Sequence, residues 1–331
     1  MKALITGIGG FVASNLARHL IHETDWEIYG TVRWNEDKEN ISHLSEYMRG
    51  NNPSIKVIEA DLNDRGSIDD ALRHVKPDYV FHLAAQSYVQ ASFAYPAQTL
   101  QTNIIGTLNL LESIKLYAPD ALVHNCSSSE VYGRVAREFV PIREDCHFSP
   151  ASPYSISKIG ADFVGRFYHD AHGLRVLTTR AFTHTGAGRG EVFMESTFAK
   201  QIAMIEAGLS EPPILVGNLL SLRTIIDVRD MVRAYHMLLT VNPIPGEVYN
   251  IGGNYSCTVG DILSALLKEA GQDYPYKQDS ARMRPVDADL QIPDCTKFMK
   301  HTGWQPMISF NETIRSLLEY WRIRIERSIN I

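Results

Sequence analysis

Tyr154 and Lys158 form the pair of residues in this sequence that is best suited to moving a proton. Ser152 and Pro153 before them are typical of a helix start, and the apolar residues that follow recur at helical spacing. Tyr154 and Lys158 would then lie on one face of a helix. Because positive charges stabilise a neighbouring phenolate, we expect the ammonium group, together with a cationic ring of a bound ligand, to lower the pKa of Tyr154. The same spacing also occurs in ordinary amphipathic helices.

Hydroxyl side chains and one carboxylate precede this helix, in the run Ser127-Ser128-Ser129-Glu130 after a predicted strand. A serine hydroxyl beside the phenol could hydrogen-bond a reacting hydroxyl or carbonyl group. Glu130 adds a group that can accept a proton as carboxylate and return it as carboxylic acid. A glutamate at the rim of a site without a catalytic role is the alternative interpretation.

A glycine-rich turn near the start of the chain predicts a phosphate site. The apolar run that ends at Thr6 is followed by Gly7, Gly9 and Gly10, and a helical pattern begins at Phe11 and Val12. Glycine permits the sharp turn and the close approach of a phosphate, while the first amides of the helix face the anion. This order of strand, turn and helix predicts dinucleotide binding.

Strand-like and helix-like segments alternate from residue 1 to about 180, which predicts an α/β fold with a Rossmann-type doubly wound parallel sheet. We expect a cofactor-binding domain from residues 1–180 plus 222–254, with residues 222–252 returning to the sheet. Residues 181–221 plus 255–331 would form a smaller, discontinuous α+β substrate lobe. The predicted strands are Lys2–Thr6, Glu27–Val32, Lys56–Glu59, Tyr79–Leu83, Ala121–Cys126 and Arg175–Arg180.

The overall composition excludes several classes of function. The 331 residues carry a net charge of −6, which offers no basic field for nucleic acid or for an anionic membrane surface. The four cysteines show no metal-binding spacing, so we expect free thiols, no metal site and a cytoplasmic location. We expect no signal peptide, and no apolar run in this sequence is long enough to span a bilayer.

The end of the second predicted strand bears on which dinucleotide is bound. Arg33 stands where NAD enzymes usually place an acidic residue, and a guanidinium group favours a 2′-phosphate. The sequence therefore favours NADP over NAD, although Glu36 or Asp37 could still reach a ribose. Asp61 and Leu62, just after the third strand, are placed to touch the adenine; a helix-capping aspartate is the alternative for Asp61.

Together these motifs resemble the extended short-chain dehydrogenase/reductase family over essentially the whole chain. They are Thr6-Gly7-x-x-Gly10-x-x-Ala13, Leu83-Ala84-Ala85, Asn103 in a helix, the serine run and Tyr154-x-x-x-Lys158. The resemblance implies that Leu83 and Ala85 line the cofactor site. It also implies that Ser128 hydrogen-bonds the reacting group, Tyr154 moves its proton and Lys158 orients the nicotinamide ribose.

Further motifs are Ser128-Ser129-Glu130-Val131-Tyr132-Gly133, Ala85-Gln86-Ser87-Tyr88-Val89, Arg189-Gly190-Glu191-Val192-Phe193 and Val216-Gly217-Asn218-Leu219. These motifs resemble the nucleotide-sugar branch of that family, in particular the GDP-mannose 4,6-dehydratases. In those enzymes carbon 4 of the sugar is oxidised, water is eliminated across carbons 5 and 6, and the hydride returns to carbon 6. The resemblance implies a GDP-hexose substrate and a role for Glu130 in the elimination. Its implied substrate-binding residues are Ser87, Arg189, Asn218, Arg223 and Arg284.

Three departures from the dehydratase pattern leave the identity of the substrate open. Ser128 replaces a threonine, Thr183 replaces an asparagine, and Thr224 stands where an acidic residue commonly follows the arginine. The sequence also resembles the GDP-4-keto-6-deoxy-mannose reductases. A 4-epimerase or a dehydratase of another nucleotide sugar, and a non-catalytic NADP-binding sensor, are the remaining alternatives.

The resemblance also implies an oligomer. The segments around Pro96–Lys115 and Pro153–His169 both repeat apolar residues, and in this family the corresponding helices pair across a two-fold axis. We therefore expect a homodimer or a dimer of dimers.

Overall fold

The computed structural model describes residues 1–35, 39–42, 44–49, 53–286 and 288–329. Its strands are β1 (Lys2–Thr6), β2 (Glu27–Val32), β3 (Ile55–Glu59), β4 (Tyr79–His82), β5 (Leu122–Ser128), β6 (Arg175–Ala181), β7 (His184–Thr185), β8 (Ile214–Val216), β9 (Leu222–Asp227), β10 (Val248–Ile251), β11 (Tyr255–Thr258), β12 (Tyr276–Gln278) and β13 (Leu290–Gln291).

The α-helices begin with a glycine-turn helix and end with a long carboxyl-terminal one. They are α1 (Phe11–Glu23), α2 (Glu39–Ser42), α3 (Arg65–Val75), α4 (Val89–Ala94), α5 (Pro96–Leu100), α6 (Gly106–Tyr117), α7 (Pro153–His172), α8 (Met194–Glu206), α9 (Val228–Thr240), α10 (Val259–Ala270), α11 (Thr296–Thr302) and α12 (Phe310–Ile329). A π-helical turn, Gln101–Ile105, joins α5 to α6, and short 3-10 turns include Ser129–Val131 and Ser280–Arg282.

The described residues form a seven-stranded sheet in the order β10-β6-β5-β4-β1-β2-β3, and every neighbouring pair in it is parallel. The chain reverses its direction of winding between β1 and β4, which is where the carboxyl ends of such a sheet bind ligands. The predicted Rossmann-type fold is confirmed. The predicted strands match those observed to within two residues at each end.

The sheet carries one apolar core on each face, because successive side chains along a strand point to opposite sides. Ala3 and Ile5 of β1 belong to the core under α1 and α9, whereas Leu4 between them packs toward α3, α6 and α7. Helices thus cover both faces. This explains why the strands read as nearly continuous apolar runs.

The second part of the chain builds its own core and its own sheet. β9 pairs with β7, β11 and β13, and β8 pairs with β12. The expected return of residues 222–252 to the large sheet is therefore right for β10 and wrong for β9. An apolar cluster from α8, α10 and α12, which includes the buried Phe198, Leu266 and Trp321, packs against β9. None of the helices described here is long and apolar enough to cross a membrane.

Candidate functional site

The glycine turn after β1 places the start of α1 at the carboxyl edge of the sheet. Gly7 adopts φ +70°, and a Cβ there would lie 3.0 Å from the Cα of Ala84. The Gly10 amide donates a hydrogen bond to the Gly7 carbonyl oxygen over 2.9 Å. Because Gly10 is also the N-cap of α1, no side chain caps the first amides of that helix. They remain available to an anion, with the positive end of the helix dipole behind them.

A cavity of about 420 Å³ opens beside this turn. Its lining includes Gly7, Gly10, Phe11, Val12, Arg33, Asp61, Leu62, Leu83, Ala85, Tyr154 and Lys158. Gly9 is the one predicted cofactor residue outside the lining described. Its carbonyl oxygen accepts a 3.1 Å hydrogen bond from the side-chain amide of Asn40. The other predicted cofactor residues therefore come together in one groove.

The far end of this cavity holds the residues that would meet the adenosine half of a dinucleotide. Arg33 lies there with an exposed side chain. The Asp61 carboxylate accepts the Asn63 amide over 2.9 Å, and the N-cap of α3 is Asp64. The helix-capping alternative for Asp61 is therefore wrong. Glu36 and Asp37, the other candidates for a ribose contact, lie outside the described residues.

The residues of this cavity fit a nicotinamide dinucleotide. The uncapped helix start and the absence of a Cβ at Gly7 suit a pyrophosphate. The hydroxyl of Ser127, a residue of the cavity lining, is buried without a hydrogen-bond partner, which leaves it available to a polar ligand. The volume also lies in the usual range for cofactor sites.

A buried chain of hydrogen bonds, which sequence reasoning missed, holds the loop after β4 against the glycine turn. The Thr6 hydroxyl accepts the amides of Leu83 and Ala84, both over 3.0 Å, and so donates to Nδ1 of His82 over 2.9 Å. Nε2 of His82 then donates to Thr107 over 3.0 Å. Burial lowers the pKa of His82 to about 3, so the ring stays neutral and this tautomer persists.

The start of α7 positions the predicted proton-transfer pair. The Ser152 hydroxyl accepts the Ser155 amide over 3.0 Å and Pro153 occupies the first turn, as predicted. Tyr154 and Lys158 are both buried on this helix and line the cofactor cavity. Lys158 Nζ donates to the Cys126 carbonyl oxygen over 2.6 Å, which anchors the helix start to the end of β5.

In the protein alone, the pKa of Tyr154 differs from our expectation. Burial raises the pKa of Tyr154 well above its ordinary value, although the Ser128 hydrogen bond and the charge of Arg189 act in the opposite direction. Burial also lowers the pKa of Lys158. In the protein by itself the pKa is therefore not lowered, because the desolvation of the phenolate outweighs the nearby positive charges. The predicted lowering by Lys158 together with a bound nicotinium ring stays a prediction for the cofactor complex.

A second cavity, of about 350 Å³, meets the first at Ser128 and Tyr154. Glu130 lines it from the 3-10 turn that follows β5, and the Glu130 amide donates to the Ser128 hydroxyl over 3.2 Å. The predicted substrate residues on its wall are Ser87, Arg189, Asn218, Arg223 and Arg284. The cavity therefore brings the Glu130 carboxylate, the Tyr154 phenol and several arginine side chains to a single space.

The three arginines of this second cavity that the sequence predicts to bind substrate have different partners. Arg189 pairs with the buried Glu195 over 3.2 Å and lies over the Phe193 ring, 3.6 Å from its centroid. Arg223 donates to main-chain carbonyl oxygens, among them that of Ala288 over 2.5 Å. Arg284 lies 3.5 Å from the Glu130 carboxylate. A role for all three in binding a diphosphate stays a prediction.

Comparison with known proteins identifies the family to which the chain belongs. The profile of the family described as GDP-mannose 4,6 dehydratase matches residues 4–317. The chain belongs to this family. It is 31% identical to the GDP-6-deoxy-D-mannose reductase of Pseudomonas aeruginosa, over 98% of both chains.

Solved structures of related enzymes share the whole fold of the chain. The structure of RMD from Pseudomonas aeruginosa complexed with NADPH superposes with a TM-score of 0.81 at 30% identity, covering 98% of this chain and 99% of that one. DesIV, a dTDP-glucose 4,6-dehydratase from Streptomyces venezuelae with NAD and TYD bound, gives 0.87 at 25% identity, covering 99% and 98%. The chain is thus an enzyme of the dehydratase and reductase family on a short-chain dehydrogenase/reductase fold, which confirms the resemblance in the sequence.

Within this family member, a second set of residues missed by sequence reasoning supports the turn that carries Glu130. The Tyr132 hydroxyl donates to Asn250 over 2.7 Å and accepts from Arg180 over 3.0 Å. Arg180 in turn pairs with the fully buried Asp162 over 2.9 Å. Gly133, at φ +57°, has no room for a Cβ, which would lie 1.6 Å from the Ser149 carbonyl oxygen. Two signals in the sequence point to this network, namely the pair Tyr132-Gly133 directly after Glu130 and the charged Arg180 within a buried strand.

His184 is a further residue of the family site that sequence reasoning did not select. It lines both cavities, and Nδ1 donates to the Phe182 carbonyl oxygen over 2.9 Å. Burial lowers the pKa of His184 to about 4, so the ring is neutral and Nε2 carries a lone pair. His184 can therefore accept a hydrogen bond where the two cavities meet.

Proposed function

We propose that the protein is an NADP-dependent nucleotide-sugar 4,6-dehydratase that acts on GDP-mannose. The observation that carries the proposal is the position of Glu130, which lines the substrate cavity together with Ser128 and Tyr154. A simple oxidation or reduction needs the phenol and the hydroxyl. The elimination of water needs in addition a group that removes a carbon-bound proton, and Glu130 supplies one.

The first chemical step uses the residues where the two cavities meet. The bound dinucleotide supplies the acceptor and later the donor of the hydride. Tyr154 removes the proton of the hydroxyl group on carbon 4, and Ser128 hydrogen-bonds the same oxygen atom. Lys158, held by the Cys126 carbonyl oxygen, supplies a positive charge beside the phenol and a donor for the nicotinamide ribose.

The elimination follows from the acidity that a 4-keto group gives to carbon 5. Glu130 as carboxylate removes the proton from carbon 5. Once protonated, it donates to the hydroxyl group that leaves carbon 6 as water, so one side chain serves both halves of the elimination. The turn that carries Glu130 is fixed by Tyr132 and Gly133, so the backbone of Glu130 is held beside the substrate cavity before substrate binds.

A dehydration assay without added cofactor tests this function. The purified protein is incubated with GDP-mannose, and the product is examined by mass for the loss of one water. A dehydratase regenerates its cofactor in every turnover, so we expect product without added NADPH. Unchanged GDP-mannose, with the protein shown to be folded and loaded with dinucleotide, would overturn the proposal.

A GDP-4-keto-6-deoxy-mannose reductase is the second candidate, and two observations favour it. The chain is 31% identical to a relative named as a GDP-6-deoxy-D-mannose reductase, and Ser128 replaces the dehydratase threonine. A reductase consumes NADPH in proportion to product. Conversion of the 4-keto sugar only with stoichiometric NADPH would therefore support this candidate. An epimerase, or a dehydratase that acts on another nucleotide sugar, would be identified by the nucleotide sugar that reacts.

The preference for NADP rests on Arg33 at the adenosine end of the cofactor cavity. Charge-assisted hydrogen bonds to a phosphate contribute about 1.5–3 kcal/mol, so we expect Arg33→Gln to weaken NADP(H) relative to NAD(H) about ten- to hundredfold. Calorimetric titration with both dinucleotides measures the ratio, with the exposed Arg73→Gln as control. An unchanged ratio would favour NAD as the cofactor.

A homodimer is supported by an apolar stripe on α7. Ile156, Phe163 and Phe167 are each about half exposed and are separated by seven and four residues, so they share one helix face. We expect Phe167→Glu to shift the protein toward monomer in analytical ultracentrifugation, whereas Phe139→Glu, which lies outside this stripe, should not. The same mass for wild-type protein and both variants would count against an interface on α7.

The remaining proposals concern the domain boundaries and the location of the protein in the cell. We propose residues 1–180 plus 228–254 as the NADP-binding domain and residues 181–227 plus 255–331 as the nucleotide-sugar lobe. This division moves β9 out of the predicted 222–254 segment and into the lobe whose sheet and core it joins. All four cysteines are free thiols, which supports the cytoplasmic location expected for a chain in a reducing compartment.

A further inference from the structure

Glu130 and Arg284 form an ion pair that joins the predicted catalytic carboxylate to the predicted diphosphate subsite. Arg284 NH1 lies 3.5 Å from Glu130 Oε1, and both residues line the substrate cavity. They come from distant parts of the chain. Glu130 is on the turn after β5, and Arg284 is between the 3-10 turn Ser280–Arg282 and β13.

The geometry of this pair is that of a contact that a ligand can break. The separation exceeds the 2.7–3.2 Å of a direct N–H to O hydrogen bond. The side chains are 31% exposed for Arg284 and 16% for Glu130, so water screens the attraction. The pair Arg189–Glu195 offers a contrast, because those side chains are only 14% and 3% exposed. Of these two pairs, Arg284–Glu130 is the one that exchanges partners more readily.

A diphosphate is a stronger partner for Arg284 than one carboxylate is. It carries more negative charge, and its oxygen atoms match the fork of a guanidinium group. The neighbouring Arg223 lines the same cavity and donates to the Ala288 carbonyl oxygen, which ties β9 to the segment that carries Arg284. An anion at this wall therefore competes directly with Glu130 for Arg284.

We propose that Arg284 couples the diphosphate subsite to the catalytic carboxylate, holding Glu130 until a nucleoside diphosphate draws the guanidinium group away. Arg284 is then a positioning residue. It keeps Glu130 occupied in the free enzyme and releases it toward the sugar when the nucleotide portion of the substrate is bound. This inference rests on the proposed function, since it assigns Glu130 to the chemistry.

A double-mutant cycle on binding tests the coupling without measuring turnover. The affinities for GDP, dTDP and UDP are measured by calorimetry in wild type, Glu130→Gln, Arg284→Gln and the double variant. Because the carboxylate competes with the ligand for Arg284, we expect Glu130→Gln to tighten nucleoside diphosphate binding about five- to tenfold. In the Arg284→Gln background the same change should alter affinity by less than about twofold.

Two further variants separate the coupling from general charge effects. Arg282→Gln removes a cation of the same cavity wall that pairs with Asp279, so Glu130→Gln should keep its full effect in that background. Arg284→Lys keeps the charge and should restore part of the coupling. Thermal unfolding of each variant confirms that the fold is retained.

The outcomes distinguish this inference from the proposed function. Equal tightening by Glu130→Gln in both backgrounds, or none in wild type, would overturn the coupling while leaving dehydration untouched. No binding of any nucleoside diphosphate would overturn both. Coupling without dehydration of GDP-mannose would leave the inference standing and refute the dehydratase.

Discussion

Replacing Tyr154 by phenylalanine is expected to slow oxidation at carbon 4 of the sugar about 10³-fold. The change removes the atom that accepts the substrate proton and keeps the ring that packs at the start of α7. Single-turnover oxidation of GDP-mannose, followed by nicotinamide absorbance, measures the effect. Tyr168→Phe is the matched control, because Tyr168 lies on the same helix, donates to Glu112 over 2.6 Å and lines neither cavity.

The pH dependence separates loss of the base from a structural defect. Burial raises the pKa of Tyr154, so the phenolate is the minor form in the protein alone near neutral pH. A rate that depends on the phenolate must rise with pH until the pKa is passed. We expect this rise in wild type and in Tyr168→Phe, and its absence in Tyr154→Phe. A Tyr154→Phe enzyme that retains the wild-type rate or the same pH profile would remove Tyr154 from the mechanism.

The parts of the site that could be predicted are those specified by local sequence. The turn at Gly7 and the start of α7 at Ser152 depend on a few neighbouring residues, and their backbone requirements can be read directly from residue type. The strands of the large sheet could be predicted for a similar reason. In a doubly wound fold, buried parallel strands are short apolar runs separated by helices.

The parts that could not be predicted depend on which distant residues meet. The apolar pattern of β9 predicts a strand, but its partners β7, β11 and β13 are short segments whose pairing is decided by the packing of the second core. The acidity of Tyr154 depends on its burial, a tertiary property that spacing from Lys158 does not contain. The contact between Arg284 and Glu130 likewise joins two loops whose separate motifs suggest separate roles.

The chain of hydrogen bonds from Thr6 through His82 to Thr107 is a further feature that the sequence does not predict. Each of these residues has an ordinary interpretation in a strand or helix, and only their approach at the carboxyl edge of the sheet makes them one structure. The sequence therefore predicts Thr6 and His82 only as parts of buried strands. Their hydrogen bonds instead position Leu83 and Ala84 beside the glycine turn.

Replacing Glu130 by glutamine is expected to leave oxidation at carbon 4 nearly unchanged and to slow the elimination about 10³-fold. Glutamine keeps the shape of the side chain but neither removes the proton from carbon 5 nor donates one to the leaving hydroxyl group. The two steps are separated by nicotinamide absorbance for oxidation and by exchange of the carbon-5 hydrogen with deuterated solvent for proton removal. We expect absorbance without exchange.

A control variant and two possible outcomes for Glu130→Gln distinguish the roles that Glu130 could have in the cavity. The exposed Glu138→Gln should change neither step, since it lies outside both cavity linings. An equal loss of both steps in Glu130→Gln would mean that the carboxylate positions Ser128 or Tyr154 and is not the base for carbon 5. Loss of elimination alone would show that Glu130 is the base for carbon 5. If GDP also binds more tightly, and only when Arg284 is present, the same carboxylate competes with the diphosphate for Arg284 and is released for the elimination when the diphosphate binds.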